Sequence, residues 1–334
     1  MAFGIELGNT RQPDVVVVGQ IEQSSIQIQK HRIDLRPVEH VRYHTGALRF
    51  DLHTHSHHSD GTLSPTALVQ HAAAHGVDLL ALTDHDSVAG CDEAQTACEQ
   101  SGVRFVAGIE LTCGWRGQTL HVLGLGLGAQ APALQAQIKQ VLQRRRSRIS
   151  EIGERLERRG RIAVRALVDE LLSADAVPTR MHLARALVHA GHAATTKEAF
   201  DRWLGRGQPA HVPVEWPSLE ETLSCLQQAT ATVVLAHPHR YKLSAGTLRQ
   251  LAAQFKDGGG HGLEISVGGM SPNDLDRLAT LARRYGLAAS GGSDFHDPAV
   301  PWNPPGRFAK LPADLELIAA RFAAPDAPSQ AAAP

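Results

Sequence analysis

Asp51-Leu52-His53-Thr54-His55 decides the reading of this chain. Leu48 to Leu52 predicts a short strand, and in a strand residues i and i+2 point to the same face. His53 and His55 would therefore leave the strand end as two imidazoles aimed at one pocket, with Asp60 following in the turn. Working outward, the same arrangement recurs. Leu79-Leu80-Ala81-Leu82 runs into Thr83-Asp84-His85-Asp86. Arg104 to Ile109 runs into Glu110. Leu120-His121-Val122-Leu123 carries a histidine. Thr232 to Ala236 runs into His237-Pro238-His239. Ala288-Ala289-Ser290 leads to Ser293-Asp294-Phe295-His296, where Asp294 and His296 form another i, i+2 pair. In barrels and open α/β sheets the C-terminal ends of parallel strands converge on one site. A lone histidine is more often a hydrogen-bonded core or rim residue; six strand ends carrying His, Asp or Glu point to a metal centre. Imidazole mixed with carboxylate suits Mn2+, Fe2+ or Zn2+ better than the oxygen-seeking Mg2+ and Ca2+. No cysteine joins the set, which argues against a structural zinc site.

The segments between these strands read as helices. Ser64-Pro65 supplies an N-cap and a proline at the first helical position, with a stop at Gly76. Ser87 to Gln100 reads as a helix ended by Gly102. Ser218 with Glu221 makes a capping box before the helix that precedes Thr232. Ser271-Pro272 opens another helix, closed by Gly286. Gly262 to Val267 reads as one more strand; its Glu264 belongs to no motif and reads as structural or as a support for a ligand. Strands alternating with helices predict a parallel sheet or barrel.

The chain has 334 residues, enough for one large domain with an insertion or two modest ones; 43% are hydrophobic and 20% charged, as in a soluble globular protein. No apolar run approaches the ~20 residues that span a bilayer, and no secretory leader pattern is present, so a cytoplasmic enzyme is expected. The net charge of −1 excludes a molecule that binds nucleic acid by bulk charge. Cys91, Cys98, Cys113 and Cys225 form no CxxC pair and read as reduced thiols. Residues 1–48, with Val15 to Val18 as their one β-like run, read as a weakly ordered extension, and the Ala/Pro-rich residues 323–334 as a disordered tail. The oligomeric state is not legible.

Residues 130–215 break the alternation and read as a helical insertion in a barrel spanning 49–322. Nine arginines lie between Arg144 and Arg165. Glu151, Glu154 and Glu157 stand four residues before Arg155, Arg158 and Arg161, the favourable order for helix ion pairs. Arg144, Arg145, Arg146 and Arg148 have no such partner. They either lie on a solvated helix face or turn toward the site to attract phosphate.

The motifs together resemble the PHP (polymerase and histidinol phosphatase) family. They are Asp51 to Ser56 with Ser59-Asp60-Gly61-Thr62, Leu82 to Asp86, Gly108-Ile109-Glu110, His121 to Gly124, Ala236-His237-Pro238 and Gly292 to His296, and the likeness runs from about residue 50 to about 315. It implies an α/β fold, a distorted seven-stranded β/α barrel. It also implies two to three divalent ions, Mn2+ foremost, with Zn2+ or Fe2+ as alternatives. One ion would take His53, His55, Glu110 and Asp294. A second would share Glu110 and add His121 and His237. A third would take Asp60, His85 and His296. Within the family the insertion, with Arg180-Met181-His182 and Ala199 to Gly205, is similar to that of the bacterial nucleoside 3′,5′-bisphosphate phosphatases, which also degrade short RNA 5′→3′. Met181 stands where that group usually has proline. The likeness implies a nucleotide substrate, with short RNA as a further one. Arg180 and Arg148 would bind phosphate, and His182 or His239 would bind substrate and protonate the leaving 3′-oxygen.

Rival readings are a phosphatase of another small phosphomonoester such as histidinol phosphate, and a metal-binding module without catalysis, which loss of ligands would favour. A polymerase-associated nuclease has no room for its polymerase. An amide hydrolase on a related barrel often uses a carbamylated lysine, and no lysine ends any predicted strand.

Overall fold

The computed structural model describes residues 48–128, 131–229, 231–300 and 303–323. The expectations for residues 1–47 and 324–334 lie outside the described residues. Seven strands form a single sheet in chain order: β1 (Phe50–Asp51), β2 (Leu79–Leu82), β3 (Arg104–Trp115), β4 (Gln118–Leu125), β5 (Thr232–Leu235), β6 (Gly262–Val267) and β7 (Ala288–Gly292). The outer edges nearly meet. Leu52 N–H donates to the Gly291 carbonyl at 3.3 Å, Asp294 N–H to the His53 carbonyl at 2.9 Å, and His55 N–H to the Phe295 carbonyl at 2.9 Å. The sheet is thus a distorted β/α barrel.

Two pairings depart from the expected parallel order. β4 runs antiparallel to both β3 and β5, because Arg116-Gly117 turns the chain back on itself as a hairpin. Glu110 and His121 therefore do not sit at strand ends. β3 continues to Trp115, and both residues lie mid-strand, where alternation sets their direction. Ile109, Leu111 and Cys113 pack outward against the helices, as do Leu120 and Val122. Val106, Leu123, Leu125, Val234 and Ala236 pack together on the opposite face, closed below by Ile318 and Ala319 of a short 3-10 turn. Glu110 and His121 share the parity of that second face, so both side chains emerge above this inner apolar floor. β2 divides likewise, with Leu79 and Ala81 inward and Leu80 and Leu82 against the first two helices.

The helices begin and end where cap chemistry places them. In α1 (Pro65–Ala74) Ser64 Oγ accepts from Ala67 N–H, and Gly76 follows the cap at φ +74°. Ser218 and Glu221 form the capping box of α7 (Leu219–Gln228). α8 spans Ala245–Asp257, and α9 (Pro272–Tyr285) ends on left-handed Gly286. α2 is shorter than predicted, Cys91–Ser101, with Gly90 rather than Ser87 at its cap.

Between β4 and α7 the chain is helical: α3 (Pro132–Arg155), α4 (Arg165–Ser173), α5 (Arg180–His189) and α6 (Thr196–Ala199), with π-helical turns at Leu156–Gly160 and Phe200–Leu204. α3 buries Leu134, Gln137, Val141, Arg145, Ile149 and Ile152, a three–four spaced stripe along one face. Leu134 packs into the barrel's outer core, while Ile149 and Ile152 join a separate cluster with Val168, Leu183 and Leu187. Arg145 is the charged residue where the stripe passes from one core to the other.

Candidate metal centre and arginine cavity

All nine predicted ligands converge. His53 Nε2 and His55 Nε2 each stand 3.3 Å from Glu110 Oε2, and 3.3 and 3.2 Å from Asp294 Oδ1. Glu110 Oε1 is 2.9 Å from His237 Nε2 and from His121 Nδ1, and its Oε2 is 2.9 Å from His85 Nδ1. Asp60 Oδ1 lies 3.2 Å from His296 Nε2 and 3.8 Å from His85 Nε2. The donors fall into four overlapping groups, each within 4.8 Å: His55, Asp60, His85 and His296; His53, His55 and Asp294; His53, Glu110 and His237; His85, Glu110 and His121. The groups share members more freely than the three-ion partition drawn from the family likeness, with His85 reaching Glu110 as well as Asp60.

Hydrogen bonds behind the rings fix which nitrogen faces inward. His53 Nδ1 donates to Glu264 Oε1 at 2.9 Å, leaving Nε2 to the centre. His296 Nδ1 donates to the Asp294 carbonyl at 2.9 Å. His55 Nδ1 stands 3.4 Å from Ser59 Oγ, which itself donates to Asp84 Oδ1 at 2.6 Å. Asp84 also accepts from the N–H and Oγ of Ser56, so this carboxylate ties the turn after β1. Asp51 accepts from Ser293 N–H at 2.9 Å and Gly306 N–H at 2.7 Å, joining the first motif to the last. Tyr241 accepts from His121 N–H and donates to the Ala236 carbonyl, pinning β4 to β5 beside His121. His237 and Asp294 adopt left-handed backbone, φ +30° and +55°, a strain characteristic of functional sites.

The electrostatics follow from mutual neutralisation. Burial opposes the charge on Glu110, but His85, His121 and His53 outweigh it and hold its pKa well below the carboxylate range. Burial likewise opposes the charge on Asp294, and Arg240 with His53 prevails. His53 is raised well above 6.5: burial works against it, and Glu264, Glu110 and Asp294 overcome burial.

The donor set fits a cluster of divalent cations. Nε2 of His53 and His55, Nδ1 of His85 and His121, Oδ1 of Asp60 and Oε2 of Glu110 are buried yet have no hydrogen-bond partner. Several orphaned polar atoms facing one space are costly unless something binds them. Imidazole with carboxylate is the set that divalent transition ions prefer.

A cavity of about 150 Å3 opens over this cluster. Its lining includes His85, His121 and Asp60 together with Arg145, Arg148 and Arg180, and with Trp216 and Phe200. Arg145 is buried and paired with Asp86, its NH2 2.6 Å and its Nε 2.7 Å from Asp86 Oδ2, and it also donates to Thr112 Oγ1 at 2.7 Å. Arg148 lies over Trp216, 5.8 Å from the ring centre, and donates to the Val212 carbonyl. Arg180 lies over Phe200 at 5.5 Å. Burial lowers the pKa of Arg148 to about 9, with Arg180 and Arg145 adding repulsion. Arg144 and Arg146 turn away, donating to the carbonyls of Glu215 and Leu172.

Arg148 and Arg180 are thus brought to the cavity; His182 and His239 are not among the residues that line it. The His182 ring serves the cap of α5, accepting Thr179 N–H at Nδ1. His239 sits in a 3-10 turn, its pKa lowered to about 4 by burial and by Arg240. Sequence reasoning missed Arg240, which pairs with Asp294, and it missed the Asp86–Arg145 pair. Glu264 was seen only as a possible support, though a carboxylate inside the fully buried strand β6 already signals a bound partner.

Comparison with known proteins agrees with this geometry. The family model described as the PHP domain matches residues 51–173. The chain is 39% identical to the 5′-3′ exoribonuclease Rnm of Salmonella typhimurium, over 81% of this chain and 93% of that protein. It is 36% identical to the 3′,5′-nucleoside bisphosphate phosphatase of Chromobacterium violaceum, over 78% and 92%. A solved structure from Chromobacterium violaceum, described as an amidohydrolase with bound sulfate and no metal, superposes with a TM-score of 0.77 at 36% identity, covering 82% of this chain and 95% of that one. Among the described residues no lysine lines the cavity of the present chain. Among the described residues no helix is long and apolar enough to cross a membrane. The chain belongs to the PHP family and is a phosphoric ester hydrolase.

Proposed function

We propose that the enzyme removes the 3′-phosphate from nucleoside 3′,5′-bisphosphates and degrades short 5′-phosphorylated RNA from its 5′ end. The observation that carries this is the cavity itself, lined both by the metal ligands Asp60, His85 and His121 and by Arg148 and Arg180, whose guanidinium groups pair with no carboxylate among the described residues. A substrate with two phosphates meets both sets of groups: one ester at the ion cluster, one phosphate at the arginines. The sulfate in the Chromobacterium violaceum structure shows that relative accepting a tetrahedral anion, and the two named relatives act on nucleotide and RNA phosphates.

His53, His55, Asp60, His85, Glu110, His121, His237, Asp294 and His296 hold two to three divalent ions, Mn2+ foremost. Bound there, the ions lower the pKa of water and neutralise phosphoryl charge. The chain's own residues do the rest. Glu264 and Ser59 fix the inward nitrogens of His53 and His55. Arg148 and Arg180, held over aromatic rings, orient the second phosphate without reorganising. Trp216, Ile149 and Met181 give the same cavity its apolar lining, which limits water there. Reduced Cys91, Cys98, Cys113 and Cys225 fit a cytoplasmic setting.

The test is a phosphate-release screen with Mn2+ over nucleoside 3′,5′-bisphosphates, 2′- and 3′-monophosphates, histidinol phosphate and 5′-phosphorylated short RNA. Bisphosphates and RNA should lead, His53→Ala should remove activity with the fold kept, and metal analysis should give two to three ions per chain. Preference for histidinol phosphate, or full activity without metal, would overturn the proposal.

A further inference from the structure

The helical insertion also holds the turn that carries one of the metal ligands. Within the barrel, Asp84 fastens that turn at Ser56 and Ser59. The carbonyls on either side of Ser59 find their partners in the insertion. Val177 N–H donates to the His58 carbonyl at 2.9 Å, and Arg185 Nη1 donates to the Asp60 carbonyl at 2.7 Å. Between them the His182 ring hydrogen-bonds the Ser59 backbone. Three successive residues of the turn are thus met by three residues of one segment, 177–185. Arg185 is half-buried and pairs with no carboxylate among the described residues; its guanidinium, a group suited to anions, is directed to a neutral carbonyl. The helix that carries Arg185 begins with Arg180, five residues or about 7.5 Å earlier along its axis. Leu183, Ala184 and Leu187 bury this helix in the insertion's own core, so Arg180 and Arg185 shift together or not at all. Arg180 and Asp60 both line the cavity.

We propose that Arg185 is a positioning residue that links two binding events: it ties the Asp60 turn to the helix presenting Arg180, so that an ion at Asp60, His85 and His296 and a phosphate at Arg180 strengthen each other's binding. The inference rests on the proposed function for the phosphate at Arg180. Arg185 holds Asp60 by its carbonyl and leaves the carboxylate to the ion; Asp60 Oδ1 stays without a hydrogen-bond partner. An ion that fixes this carboxylate restricts the backbone of the same residue, and Arg185 passes that restriction to α5. A turn and a helix already held by one ligand cost the other less to bind, and by linkage the effect is equal in both directions.

The test uses adenosine 5′-monophosphate, which keeps the phosphate assigned to the arginines and lacks the ester assigned to the ions. Its dissociation constant is measured by calorimetry in chelator and at saturating Mn2+. Mn2+ binding is measured by electron paramagnetic resonance with and without the nucleotide. The proteins are wild type, Arg185→Met and Arg185→Lys, with circular dichroism to confirm the fold. In the wild type each ligand should tighten the other by the same factor, about fivefold or more. Arg185→Met should weaken one of the bound Mn2+ ions by about tenfold, as loss of a group behind a ligand does, and bring the mutual factor to about one. Arg185→Lys keeps a charged donor for the Asp60 carbonyl and should restore part of that factor, which a loss of helix stability alone would not do. Equal coupling in wild type and Arg185→Met, no coupling in the wild type, or an unchanged Mn2+ titration in Arg185→Met would overturn the role of Arg185. If Arg180→Met leaves the nucleotide's affinity unchanged, the phosphate reading fails instead, and the Mn2+ titration of Arg185→Met still decides whether that residue positions Asp60.

Discussion

Glu264→Gln replaces a buried carboxylate with an amide of the same shape. Glu264 Oε1 accepts from His53 Nδ1 at 2.9 Å and Oε2 from His237 N–H at 2.7 Å, and the side chain is fully buried. An amide has one acceptor oxygen, so either the imidazole N–H or the backbone N–H must face an NH2 group. An orphaned buried donor costs about 1–3 kcal/mol. If the imidazole yields, His53 flips its tautomer and turns a proton toward the centre. If the backbone yields, His237 loses the bond that holds its left-handed φ of +30°. Either outcome removes a properly presented ligand. Loss of a partner behind a metal ligand typically weakens metal binding 10–100-fold, which agrees with 1–3 kcal/mol at 1.4 kcal/mol per tenfold. The assay is a Mn2+ titration in chelator-buffered solution, read by activity and by Tm, with circular dichroism to confirm the fold. At saturating Mn2+ much of the activity should return. A dissociation constant within twofold of wild type, with kcat unchanged, would refute the tautomer argument.

Two further outcomes follow from buried charge. Arg145→Met strands Asp86 without its guanidinium; breaking a buried pair costs about 3–5 kcal/mol, which for a chain of this size lowers Tm by roughly 4–8 °C, and the double variant Asp86→Leu/Arg145→Met should recover part of that loss in a thermal melt. The second concerns pH. Burial opposes the charge on His55, yet its contacts with Asp294 and Glu110 raise its pKa to about 10 in the metal-free protein. A raised pKa stabilises the fold below the ordinary 6.5 and that contribution fades as pH rises through the folded value. The metal-free Tm should therefore fall between about pH 6.5 and 10, while Mn2+ affinity, which requires the same protons to leave, should rise over that window; a flat Tm together with a constant affinity would contradict this.

The metal ligands were legible in the sequence because most sit in short local motifs, where alternation and a strand end fix direction without knowledge of the rest of the chain. His53 with His55, and Asp294 with His296, needed only period two. The direction of β4 was not legible from the same signals: a strand reads alike whichever way it runs, and only the tight Arg116-Gly117 turn between β3 and β4 hints at a hairpin. The partners behind the ligands were harder still. Asp86 and Arg145 lie 59 residues apart in sequence and meet because a charged residue stands in the buried stripe of α3. Arg145 looked like its neighbours Arg144 and Arg146 in sequence. The helical stripe of Val141, Arg145 and Ile149 separates it from them, since three–four spacing turns Arg145 inward and the others away.

The buried carboxylates themselves divide by what satisfies them. Both oxygens of Asp51, Asp84, Asp86 and Glu264 accept hydrogen bonds from backbone or side-chain donors of this chain. Asp60 and Glu110, by contrast, each retain a buried oxygen without a hydrogen-bond partner. The first group fastens the loops: Asp51 joins the first motif to the last, Asp84 folds the turn that carries Asp60, Asp86 anchors α3, and Glu264 sets His53 and His237. Strained backbone at His237 and Asp294 persists because these bonds over-determine it. The second group is left with capacity that the chain does not use. A framework complete in itself and a centre incomplete in itself have different requirements, and only the centre calls for an ion. The positions of His53 and His237 are thus set by a carboxylate whose own oxygens the chain already satisfies, which is why a substitution at Glu264, one layer removed, is the sharper probe of how the centre is built.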